Sequence, residues 1–324
     1  MRRRAAASVA MVVALAASAC GQAGEPRVAP LRLAVPQWPG FDPLQLAEAN
    51  GLFSSHGVDV EIVDQVSLSD AERAFSRGDV DGVAMTLGGS FALDASGRGY
   101  RSVLLLDHSD GAHVVIGSPG ITGMEDLKGR TIGVEWAPLG THIVTRALQK
   151  HGMSAEDVTM IYAAPDELPR MLSAGSVDAI ETYAPFTEEP ASEGRHVLFS
   201  SAEIPDEVTD VIAFGTDVLD ERREDVERFA ATWPDALALV ERDRRSAIGT
   251  MSAREGMSHS GFTAAWQGIQ MLPLSKQLGW MRDGGASAAC HRIGAIVAQA
   301  GLAGPSALSS HCGLDPSILE ALLR

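Results

Sequence analysis

The chain has 324 residues, 45% of them hydrophobic and 21% charged, which excludes a disordered or fibrous polypeptide and leaves room for two domains. Lys and Arg number 26 against 42 Asp and Glu, and the resulting net charge of −16 repels phosphate backbones and argues against nucleic-acid binding. Three cysteines are too few for a disulfide-rich scaffold, and no apolar run reaches the roughly 18 residues that a bilayer span needs.

Residues 1–19 read as a secretory signal peptide. Arg2, Arg3 and Arg4 form a basic start, and the short apolar run Ala5–Ala19 ends in small residues. Leu15-Ala16-Ala17-Ser18-Ala19-Cys20-Gly21 resembles a bacterial lipobox, which implies cleavage before a lipidated Cys20. Two or more acyl chains on that thiol would hold the protein at a membrane surface. The alternative is an ordinary signal peptide with a chance cysteine. Residues 20–30, with Gly, Ala, Glu and two prolines, suit a flexible tether. The mature chain is then expected outside the cytoplasmic membrane, where disulfides persist.

From Leu31 the pattern alternates between strand and helix. Leu31–Val35 reads as a strand, followed by a Pro/Gly turn through Trp38 and a helix from Pro43 to a stop at Asn50-Gly51. Val58, Val60 and Ile62 alternate with acids as in a half-buried strand. Ser69 with Glu72 three positions on matches a capping box for the next helix. The alternation continues to about residue 215, the signature of an α/β fold with mostly parallel sheets. One echo stands out: residues 75–83 resemble residues 172–180, each reading as a helix end, a glycine cap and Val-Asp entering a strand. From Leu219 the character is helical. Residues 221–243 form an amphipathic pattern with Pro234 inside it, and further helices are expected near 286–300 and after Asp315-Pro316. Cys290 and Cys312 remain, each beside a histidine, and they suit a disulfide, two buried thiols or, with spacing that matches no common motif, a zinc site.

Several motifs in order resemble one family. They are Val35-x-x-Trp38-Pro39-Gly40; Leu46-Ala47-x-x-Asn50-Gly51-Leu52-Phe53 leading to Gly57-Val58-Asp59-Val60; Gly120-Ile121 leading to Asp126-Leu127-Lys128-Gly129-Arg130-x-Ile132-Gly133-Val134; Gly175-x-Val177-Asp178-Ala179; and Tyr183-x-Pro185-Phe186. Together, over roughly 31–243, they are similar to nitrate/sulfonate/taurine-type substrate-binding lipoproteins, a family that includes binders of thiamine-pyrimidine precursors. The resemblance implies a two-lobed periplasmic-binding fold of the second class. One lobe would comprise 31–112 plus 216–324 and the other 113–215, with hinge segments near Gly111–Gly117 and Asp210–Gly215. It also implies a monomer that closes on a small-molecule ligand and hands it to an ABC permease with its ATPase, with no cofactor.

Open α/β sheets bind ligands at the carboxyl ends of their strands. Four loops then reach the cleft. The first carries Trp38, and the second Thr86, Gly88 and Ser90, whose glycines could expose backbone N–H groups. The third carries Asp107 and Asp110. The fourth combines Glu135, Gly140 and Thr141 with the strand end Glu181–Tyr183. Four acids and no Lys or Arg occupy these loops. Carboxylates facing Trp38 or Tyr183 suit a cationic or amine-rich ligand, such as an aminopyrimidine, an amidine or an organic amine. His108 and His113 flank the third loop and read as surface or hinge residues. Competing readings are a nitrate or sulfonate binder, a sensor-linked binding module and an enzyme on the same fold. A pyrimidine synthase of thiamine biosynthesis resembles this family but carries a Cys-rich segment and a cofactor-binding Lys. This chain has no clustered Cys, and catalytic motifs are absent.

Overall fold

A computed structural model describes residues 29–193, 195–303 and 311–324; Cys20, the expected signal peptide and most of the tether lie outside them. The strands are β1 (Leu31–Pro36), β2 (Val60–Gln65), β3 (Gly82–Thr86), β4 (Tyr100–Ser109), β5 (His113–Gly117), β6 (Thr131–Glu135), β7 (Thr159–Ala163), β8 (Ala179–Tyr183), β9 (Val197–Ser200), β10 (Thr209–Gly215) and β11 (Ile269–Met271). They form two sheets, ordered β11-β4-β10-β3-β1-β2 and β7-β6-β8-β5-β9. Inner strands such as β3, β5, β8 and β10 are buried along their whole length, because helices cover both faces. The edge strand β2 keeps the exposed acids that gave it an alternating pattern.

The two sheets share one plan, which explains the sequence echo. In the first, β1 pairs in parallel with β2 and β3, and β3 pairs with the antiparallel β10. In the second, β6 pairs in parallel with β7 and β8, and β8 pairs with the antiparallel β5. The echoed segments are the helix ends before β3 and β8, with Gly78 and Gly175 at φ 77 and 69. Only glycine takes that left-handed conformation without strain. The chain passes between the sheets at 110–112 and at 201–208, so the carboxyl ends of β1, β3 and β4 meet those of β6 and β8. β10, expected with the second lobe and its hinge, hydrogen-bonds wholly within the first sheet.

Several local expectations change. The helix Leu68–Ser76 is capped by Ser67, whose side chain accepts the Asp70 N–H, so Ser69 and Glu72 are free for other tasks. The pattern over 221–243 is two helices, Thr216–Ala231 and Trp233–Arg242, with Pro234 in the first turn of the second, where its missing N–H is harmless. β11 adds an edge strand that its three residues were too short to announce.

Cys290 and Cys312 form a disulfide with Cα atoms 6.1 Å apart, which rules out the zinc and free-thiol readings. It ties the helix Gly285–Gln299 to a segment stitched onto β4, where the Ser102 hydroxyl donates to the Cys312 carbonyl at 2.9 Å. Closing a loop of 22 residues stabilises by about 3 kcal/mol on the chain-entropy model. Urea unfolding of Cys290→Ser/Cys312→Ser is expected to show a loss of that order, and a loss under about 1 kcal/mol would contradict this account.

Candidate ligand cleft

The strand ends converge on a buried seam. Asp107 on β4 and Asp210 on β10 are direct cross-strand partners, so their side chains share one face. Both are fully or almost fully buried. Neither Asp107 oxygen meets an N–H or O–H donor, so a hydrogen bond to Asp210 requires one of the two carboxyls to hold a proton. Burial, then the Asp210 charge, pushes Asp107 well above the usual carboxylate range. Burial lifts Asp210 to about 7 despite the opposing influence of Asp107 and Trp38. A Cβ at Gly40 would fall 2.4 Å from Trp38 Nε1 and 2.6 Å from Asp107 Oδ2, so this glycine is what lets the indole and the carboxylate converge.

The opposite wall comes from the second sheet. Glu181 and Tyr183, two apart on β8, share a face, and Tyr183 pairs directly with His113 on β5. Glu135 ends β6. Burial raises Glu135 to about 7, opposed by the Tyr183 hydroxyl. Burial and then Glu135 raise Glu181 to about 8. A Cβ at Gly140 would lie 2.8 Å from Glu181 Oε2, so a glycine at the start of the helix Pro138–Lys150 makes room for that carboxyl. Glu72 joins from the first lobe, raised to about 8 by burial and then by Glu135. No oxygen of Glu135 or Glu181 makes a hydrogen bond of regular geometry, nor does Trp38 Nε1, although the Tyr183 hydroxyl approaches Glu135 and the indole N–H approaches Asp210. No Lys or Arg is among the charges acting on Asp107, Glu135, Glu181 or Asp210.

Three rings line the same seam. Trp38, 3% exposed, lies 4.6 Å from His113 and 5.8 Å from Tyr183 between ring centroids. His113 Nδ1 is 2.9 Å from the Ser109 hydroxyl, which is 2.8 Å from that of Ser201, and Ser201 Oγ accepts the Gly111 N–H at 2.8 Å. These bonds tie the two crossovers together and fix the imidazole. Burial lowers His113 to about 3, so the ring is neutral at neutral pH.

Trp38, Asp107, Glu135, Gly140, Glu181 and Tyr183 are therefore brought together as the sequence suggested. Asp110 is not: it is exposed at the first crossover, with its N–H bonded to the Gly268 carbonyl. Thr86 Oγ1 accepts the Gly89 N–H, and the Ser90 hydroxyl donates to the Leu87 carbonyl, so both are spent on the turn after β3. Gly88 packs near Ile293. Thr141 is buried with its hydroxyl 3.0 Å from that of Tyr162. Glu72, Asp210 and His113 are seam residues that sequence reasoning assigned to a helix cap and the hinge. The available signal was an acid inside the apolar run Val208–Phe214. His108, next to Asp107 on the strand, points to the other face, against Thr209 and Trp280. Among the described residues no group of three or more His, Cys, Asp or Glu is placed to hold a metal, and no helix is long and apolar enough to cross a membrane.

Two α/β lobes of one plan, crossed twice by the chain and meeting at their strand ends, are the two-lobed periplasmic-binding fold. Residues 38–241 match the family described as NMT1/THI5 like, and the chain belongs to it. A Brucella abortus (strain 2308) protein described only as a binding protein is 27% identical over 149 residues, 43% of this chain and 43% of that protein. The chain thus matches less than half the length of that relative. The alkanesulfonate-binding protein SsuA from Xanthomonas axonopodis pv. citri, bound to MOPS, superposes with a TM-score of 0.74 at 18% identity, covering 89% of this chain and 99% of that one. The periplasmic aliphatic sulphonate binding protein SsuA from Escherichia coli gives 0.71 at 17% identity, covering 85% and 89%.

Proposed function

We propose that the protein is the extracytoplasmic solute-binding component of an ABC importer, and that its ligand is a cationic, nitrogen-rich organic molecule. The observation that carries the ligand class is the set of five buried carboxyls, Glu72, Asp107, Glu135, Glu181 and Asp210, around Trp38 and Tyr183. Ionised carboxylates are expensive to bury without a partner. An amidinium, guanidinium, protonated aminopyrimidine or ammonium group between the lobes supplies the missing charge and donors, and the rings add cation–π attraction. A sulfonate, the ligand type named for the two structural neighbours, would meet repulsion wherever these carboxyls are ionised.

In this reading Cys20 carries the lipid anchor, the monomer closes about the crossovers at 110–112 and 201–208, and the closed form delivers ligand to a permease and its ATPase. Contacts across the seam fit closure: the Ser69 hydroxyl donates to the Trp136 carbonyl, and the Ser258 hydroxyl donates to Glu188 at 2.6 Å. Thermal shift at pH 8 against a panel of guanidinium, amidinium, aminopyrimidine, taurine, alkanesulfonate and nitrate ligands tests the proposal. Cations are expected to raise the melting temperature in a dose-dependent way. Stabilisation by the anions alone would overturn the cationic reading.

A further inference from the structure

A cavity opens beside the acidic seam. Its volume is about 300 Å³, at the small end of ligand sites. Glu72, Ala92 and Leu302 line it from the first lobe, and Trp136, Pro138 and Tyr162 from the second. Trp136 is 68% exposed and Leu302 42%, two of the few large apolar side chains that the described residues leave to solvent. Trp136 stands edge-on to Tyr162 with centroids 5.4 Å apart, and the Tyr162 hydroxyl is held by Thr141. Glu72 belongs to both places: it lines this cavity and feels the charge of Glu135 in the seam. The cavity therefore shares Glu72 with the acidic seam; Trp136, Tyr162, Pro138, Ala92 and Leu302 give it apolar walls, and Ser69, Arg73 and Ser76 also line it.

We infer that the ligand is amphiphilic, with a cationic head among the buried carboxyls and a flat apolar arm in this cavity, packed against the Trp136–Tyr162 pair of the second lobe and against Ala92 and Leu302 of the first. This rests on the cationic reading above and adds the shape and polarity of the rest of the molecule. A planar arm buries apolar area on both lobes at once, so it favours the closed form as well as the bound one. The exposed Trp136 ring forms one wall of this cavity.

The test compares two probes on the purified full chain at pH 8 by titration calorimetry, methylguanidine as head alone and benzylguanidine as head plus arm. Benzylguanidine is expected to bind about tenfold tighter or more, and to change tryptophan emission in the wild type in a way that Trp136→Ala loses. In Trp136→Ala, and in Ala92→Phe, which fills the cavity while leaving every seam carboxyl in place, the affinity ratio is expected to fall to about one. A ratio near one in the wild type, with both cations binding, overturns this inference and leaves the cationic head standing. A tenfold ratio that survives both substitutions also overturns it. Binding of neither cation, with binding of a sulfonate, overturns both readings together.

Discussion

Replacing Asp107 and Asp210 together with asparagine is expected to abolish cation binding and to make the ligand-free protein more heat-resistant at pH 8 than the wild type. The two acids face each other across β4 and β10 in a place that offers no counter-charge. Two amides at the same positions can donate as well as accept, so they satisfy each other without a shared proton. The wild type carries a pH penalty of which the variant escapes the part due to Asp107 and Asp210. Burial raises Glu135 and Asp210 to about 7 and Glu72 and Glu181 to about 8, from ordinary values of 3.8 for Asp and 4.5 for Glu. Between about pH 4 and pH 8 the native state then binds more protons than the unfolded chain, so its stability falls as pH rises through that window. Each titrating carboxyl contributes a slope of about 1.4 kcal/mol per pH unit, less whatever is relieved when the lobes open and rehydrate it. Differential scanning fluorimetry from pH 5 to pH 8 should show a clear decline for the wild type and a shallower one for the variant. A saturating cation should flatten the wild-type profile. A wild-type melting temperature that is level across this range would mean that the carboxyls are not buried in solution.

The second large effect is expected at Arg254, away from the seam but under its first loop. Its guanidinium donates to Asp42 and Glu255 at 2.9 Å each and also reaches Asp64. Asp42 and the Glu255 side chain are fully buried, and each has one oxygen without a hydrogen-bond partner. Burial and then the Glu255 charge raise Asp42, with Arg254 opposing; burial likewise raises Glu255. The Trp38 backbone N–H is also directed to Glu255, so the cluster braces the loop that presents the indole. Arg254→Met leaves two buried acids without their cation, which costs about 3–5 kcal/mol. The loss should be largest at pH 8 and should shrink toward pH 5, where the orphaned acids hold protons in the native state. Urea denaturation at the two pH values measures it. A loss under about 1 kcal/mol at pH 8, or one that grows on acidification, would show that Arg254 does not carry this charge balance.

Much of this molecule could be read along the chain. Helix and strand periods are local, so the alternating pattern and the repeated Gly-x-Val-Asp turns gave the α/β class and the two similar lobes. Motif order gave the family, and the acids at predicted strand ends gave the sign of charge in the cleft, because the carboxyl ends of β4, β6 and β8 are where a sheet of this kind presents ligand groups. Pairing across strands was beyond it. Asp210 joined the seam only when β10 ran antiparallel beside β4 and set it opposite Asp107, a register between residues about a hundred positions apart in sequence. Glu72 obeyed the local capping pattern until Ser67 took the cap and the helix turned the carboxyl into the seam. Asp110, identical in type to Asp107 and three residues away, ended in solvent because the strand stops at Ser109. Residue type and local period are properties of the sequence by itself. Which carboxyls lose their water, and therefore what the cleft attracts, was decided only when the two sheets met, since desolvation depends on neighbours that the chain brings from far away.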